Sequence, residues 1–120
     1  MNTVALIYSQ DFKKLDFGES HPMRGDRYKK ALAEFKSMGL LENLIFKEPI
    51  LISENIIRLF HDPEYIEKVI EVSETGKGYY GEEVPGMKGI YGIILLSVRA
   101  SNTAADSILG ENQCGVEIYR

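Results

Sequence analysis

The segment Val4 to Tyr8, VALIY, runs five apolar side chains without a polar interruption. Side chains on a strand point alternately to the two faces of a sheet, so this run has no face to give to water. It predicts a strand over about 4–8 that is covered on both sides, as in a parallel sheet between helical layers. A second run, GVEIY at Gly115 to Tyr119, predicts another strand over about 116–119. Two strands separated by so long a connection fit a parallel arrangement, which requires a crossover. Two strands alone make a poor parallel sheet, so the sequence reads as part of an α/β fold.

The connection carries helical grammar. After a polar loop over 9–27, a helix is expected to start near Gly25 or Asp26, with Asp26 as a competent N-cap. Its buried stripe would be Tyr28, Ala31, Leu32 and Phe35, and Gly39 its left-handed stop. IFKEPILIS reads as an extended connector in which Pro49 rules out a central strand. Ser53 opens a short helix with Ile56, Leu59 and Phe60. A second long helix follows, with Asp62 as cap, Pro63 at the first helical position and Gly76 closing it. Its stripe would be Ile66, Val69, Ile70 and Ser73. GKGYYGEEVPGMKG reads as a loop. Ile90 to Leu109 reads as one long helix whose face runs through Ile90, Ile94, Ser97, Val98, Ser101, Ala105 and Ile108. Its small residues admit close neighbours, and Gly110 is expected to end it.

Composition narrows the function. The chain's 120 residues suit one domain, and a net charge of −4 argues against a nucleic-acid footprint. One cysteine, Cys114, excludes an internal disulfide and a thiolate zinc cluster. The first ten residues lack a basic stretch and a long apolar core, so no signal peptide or membrane span is expected and the cytoplasm is the default location. His21 and His61 stand forty residues apart without metal-ligand spacing. No Gly-x-Ser-x-Gly elbow and no phosphate-binding glycine loop occur. The residues by themselves show two functional-looking loops and no catalytic machinery.

Four segments, taken in order, resemble the N-terminal part of the histone deacetylase superfamily, especially its acetoin-utilisation and acetylpolyamine-deacetylase-like members. DFGESHPMRGDR, residues 16–27, is similar to the family's Gly-x-x-His-Pro-[Met/Leu]-[Arg/Lys]-Pro-x-Arg loop. LFHDPEYIEKV is similar to its His-[Ser/Thr]-x-x-Tyr-[Ile/Leu] segment, and YGEEVPGMKGIY to its acidic-x-Pro loop. The small-residue helix and GVEIY then follow in the family's order. The resemblance implies an arginase/deacetylase-like three-layer α/β fold and zinc-dependent hydrolysis of acetylated amines. It implies that Arg27 lines an internal cavity beneath the site and that Glu83 is the acidic rim residue; His21, ahead of Pro22, is read from the residues themselves as shaping the loop that leads to Arg27.

Two departures are visible. Gly25 stands where the family usually has proline, which is expected to loosen the helix entrance. Glu83 stands where Asp is usual. The family's zinc ligands and catalytic histidines come after the last segment matched here. The 120 residues are therefore expected to hold no catalytic residue and no metal or other cofactor of their own, and to be inactive alone. A homo-oligomer or a complementing catalytic chain is the expected partner, with neither nucleic acid nor membrane. The alternatives are a non-catalytic oligomerisation or ligand- and partner-binding module, and one half of a two-chain deacetylase.

Overall fold

A computed structural model describes residues 3–51, 53–81, 84–111 and 114–117; for 79–81, 84, 110, 111 and 114–117 it describes the backbone alone. Its first strand, β1 (Val4–Ile7), is central in a parallel sheet of order β2-β1-β5, between β2 (Leu44–Lys47) and β5 (Cys114–Glu117). Val4 pairs with Leu44 on one side and Cys114 on the other, and Ile7 with Lys47 and Glu117. Ala5, Leu6 and Ile7 are each at most 1% exposed, as an uninterrupted apolar run requires.

Two expectations about the sheet are corrected. The segment read as a connector contains β2. Pro49 stays clear of the ladder because β2 ends at Lys47, and β2 lies at the end of the strand order, where half-exposed side chains weaken the apolar signal. The last strand begins two residues earlier than expected, at Cys114.

The first crossover is not all loop. Ser9 accepts the Asp11 N–H and starts a 3-10 helix at Gln10–Lys14, which buries Phe12. Helix α1 (Asp26–Ser37) follows, and Gly39 (φ 70°) turns the chain away as expected. Of the predicted stripe only Tyr28 is buried; Ala31, Leu32 and Phe35 are half-buried.

The second crossover begins with a 3-10 helix, Glu54–Leu59, in which Ile57 is the buried residue and Leu59 is 85% exposed. Helix α2 (Pro63–Thr75) has the predicted ends. The Asp62 carboxylate accepts the Glu64 N–H at 2.9 Å, Pro63 opens the first turn, and Gly76 (φ 70°) ends it. Next comes a short antiparallel hairpin of β3 (Tyr79–Gly81) and β4 (Val84–Pro85), where the sequence suggested only loop. Helix α3 (Ile90–Glu111) runs through Gly110 rather than stopping there.

The buried face of α3 differs from the expected one. Ile90 is buried as expected, but the rest of the buried face is Leu95, Ala100, Thr103, Ala104 and Ser107, whereas Ser101, Ala105 and Ile108 are exposed. The reason is polar. Thr103 and Ser107 face inward because their hydroxyls first satisfy carbonyls of their own helix, at Arg99 and Thr103. They then accept from the Ile50 N–H at 2.9 Å and the Lys47 ammonium at 3.2 Å, fixing the exit of β2. Small Ala100 and Ala104 let α3 lie close on Ala5 and Ile7 in one core that also contains Phe12 and Tyr28. Ser73 of α2 is likewise a tether. Its hydroxyl accepts the Tyr91 N–H at 3.0 Å and caps the start of α3. A second core of Ile57, Ile66 and Leu95 joins α2 to α3.

Candidate functional site at the strand ends

In a parallel sheet flanked by helices, ligands bind beyond the carboxyl ends of the strands. Here β1 is followed by Tyr8, whose N–H still donates to the Lys47 carbonyl. The Tyr8 ring meets Phe12 edge-on at 5.9 Å, and Phe12 lies 5.7 Å from Tyr28. The Arg27 guanidinium sits 4.9 Å above the Tyr28 ring and donates to its hydroxyl at 3.0 Å. An aromatic row thus runs from the end of the central strand to Arg27, on the first turn of α1. A cavity of about 470 Å³ opens at the same strand ends, lined by Tyr8, Ser9, Asp11, Phe46, Lys47 and Glu48.

The loop before α1 is closed by one carboxylate. Asp16 accepts the N–H groups of Gly18 at 2.8 Å and Gly25 at 3.0 Å. Those two bonds, Gly18 first, hold its pKa below the ordinary value, and Arg24 adds to the effect. Gly25 is buried, and a Cβ there would run into the Lys13 carbonyl oxygen. The expectation that Gly25 loosens the helix entrance is therefore reversed. Its φ of −66° would suit proline, but proline would remove the N–H that Asp16 holds and would push a side chain into Lys13. Asp26 is the first helical residue rather than the cap. Its carboxylate pairs with Lys30 at 2.9 Å and Arg24 at 3.3 Å, and the Lys30 bond chiefly lowers its pKa.

His21 and His61 have local partners of their own. His21 accepts the Met23 N–H at its Nδ1 and meets the Phe17 ring edge-on at 4.9 Å, while Pro22 is exposed beside it. Both shape the turn leading to α1. Glu83 lies outside the described residues, and the hairpin strands on either side of it are β3 and β4. His61 is exposed between the rings of Phe60 and Tyr65, near an apolar hollow of about 130 Å³ between α2 and α3. Tyr91 at the edge of this hollow donates to Glu54 at 3.1 Å; burial first, and then that carboxylate, raise its pKa. Among the described residues no three His, Cys, Asp or Glu side chains gather in a way that could hold a metal ion. These described residues do not fit a zinc site.

Comparison with known proteins decides the family. The histone deacetylase domain matches residues 21–120. The chain belongs to the histone deacetylase family. An uncharacterized protein of Synechocystis, slr0245, is 26% identical over 113 residues, covering 92% of this chain and 37% of its own length. The crystal structure of the HDA15 HD domain superposes with a TM-score of 0.80 at 17% identity, over 99% of this chain and 35% of that one. The α/β architecture, with its parallel strands, is thus that of the deacetylase domain. The chain spans a little over a third of the length of these relatives. No helix among the described residues is long and apolar enough to cross a membrane.

Asp16 was not singled out from the sequence. Its contact with Gly18 is an ordinary turn signal, but nothing local announces its reach to Gly25. Tyr8 and Phe12 were legible as apolar residues only; their place in the row depends on the 3-10 turn between them.

Proposed function

We propose that this chain forms the cavity-side wall of a zinc-dependent amidohydrolase that removes acetyl groups from amines, as in the acetoin-utilisation and acetylpolyamine-deacetylase-like members of the family. The observation that carries the reading is the row from Tyr8 through Phe12 and Tyr28 to Arg27, which links a guanidinium through three packed rings to the residue that follows the central strand. A guanidinium held over a ring and tied to its hydroxyl keeps its charge and direction, and suits the wall of a cavity that handles acetate or an acyl oxygen. In this reading Glu83 belongs to the rim, and His21 and Pro22 to the loop that turns under the cavity.

The zinc ligands and the proton-transferring histidines come from protein outside these 120 residues, on the same polypeptide or on a complementing chain. The residues alone do not turn over substrate. Both histidines are engaged by local partners, His21 by the Met23 N–H and His61 by two aromatic rings. Association with more protein has support in the apolar side chains left uncovered: Leu59 and Phe60, adjacent in the chain, are 85% and 88% exposed, and Leu51 is 77% exposed, surface that a partner would cover. The protein works in the cytoplasm and engages neither nucleic acid nor membrane.

Acetate release from an acetylated polyamine, with zinc supplied, tests the reading. The 120-residue chain is expected to release none, and the native assembly isolated from its source cells is expected to release acetate until zinc is chelated. Turnover by the 120 residues alone, or none by the native assembly on any acetylated amine, would overturn it.

A further inference from the structure

Arg27 stands two residues beyond Gly25, so whatever fixes Gly25 fixes the first turn of α1 and the direction of the guanidinium. Two contacts meet at Gly25. The Asp16 carboxylate takes its N–H from nine residues upstream, and the Lys13 carbonyl occupies the space where any other residue would carry Cβ. The second oxygen of Asp16 does not interfere, because it holds the Gly18 N–H. The loop is thereby pinned at both ends by one side chain.

We propose that Asp16 is a positioning residue for Arg27, acting through the Gly25 N–H, and that the Asp16–Gly25 latch does in this chain what a rigid proline at the same position would do elsewhere. The proposal rests on the reading of Arg27 as a cavity residue only for its consequence in catalysis; the latch itself is a property of these residues. A proline restricts the helix entrance covalently, whereas here an ionised carboxylate restricts it from a distance. Arg24 and Asp26 are the charged groups that bear on that carboxylate, the first favouring its ionised form and the second opposing it.

Nuclear magnetic resonance of the 15N-labelled protein tests the latch without any assay of activity. In Asp16→Ala, the Gly25 amide is expected to exchange roughly tenfold faster or more, the scale for losing a hydrogen bond to a charged acceptor. The Nε–H resonance of Arg27, whose Nε is buried beside the row, should shift with it. Asp16→Asn keeps a single carbonyl oxygen for two N–H groups and should recover part of both changes. Asp16 is exposed, so these variants remain folded, and the Tyr28 resonances report on that directly.

Unchanged Gly25 exchange and an unmoved Arg27 resonance in Asp16→Ala would overturn the proposal. If both move while Arg27→Ala leaves turnover of the native assembly intact, the latch stands and the functional reading fails. If Arg27→Ala reduces turnover and Asp16→Ala alters neither resonance, the functional reading stands and the latch fails.

Discussion

Helices α1 and α2 enter the fold by opposite devices. α2 is started by its immediate neighbours: Asp62 caps, Pro63 sets the first turn, and Gly76 closes the last one in a left-handed conformation. α1 has no side-chain cap at Gly25, and its start is fixed by Asp16 nine residues away and by the Lys13 backbone. A locally capped helix has its ends set before it packs. A helix capped across a loop has its ends set by the loop, so the loop's conformation is passed on to the residues of its first turn. That is where Arg27 lies.

The comparison can be broken from either side. The largest effect is expected from Phe12→Ala, which removes the ring joining Tyr8 to Tyr28 from a site only 2% exposed. A loss of about 3–5 kcal/mol is expected from urea unfolding. Gly25→Ala comes next, at about 1–3 kcal/mol, because the new methyl group must displace the Lys13 carbonyl. Gly25→Pro should cost more than Gly25→Ala, since it also removes the N–H held by Asp16; an equal or smaller shift in Tm would show that the latch holds nothing. Asp62→Ala should cost about 1 kcal/mol, the usual scale for a lost N-cap, and should leave the Arg27 resonance where it was.

The smallest effect is in acid. The folded pKa of Asp16 lies below its ordinary value of 3.8, so its contribution is fully present above that value. It is lost as pH falls through the lower folded pKa. Stability measured against pH should therefore fall less steeply below 3.8 in Asp16→Asn than in the wild type.

What the sequence made legible follows the same division. β1 was readable because Ala5, Leu6 and Ile7 are covered on both faces, and α2 because each of its signals lies within a residue or two of where it acts. β2 was missed because its outer side chains are half-exposed; Ile45 and Phe46 are 39% and 49% accessible and do not alternate cleanly. The buried face of α3 is not given by the spacing of its apolar and small residues. Thr103 and Ser107 are buried for the hydrogen bonds they make to Ile50 and Lys47, partners more than fifty residues away in the chain. At the candidate site, Arg27 and the loop before it were found through their likeness to a family pattern. Gly25 was misjudged because its neighbour Lys13 and its acceptor Asp16 reach it through tertiary structure.

The central proposal is that Arg27, held over Tyr28 at the far end of the aromatic row, serves the chemistry of a deacetylase. Steady-state kinetics of acetate release by the native assembly, wild type against Arg27→Ala, test it most directly. The account predicts a fall in kcat of roughly tenfold or more with KM little changed, the pattern of a group that acts after substrate has bound. An unchanged kcat in a folded Arg27→Ala variant would contradict it and leave Arg27 as a side chain that only packs on Tyr28.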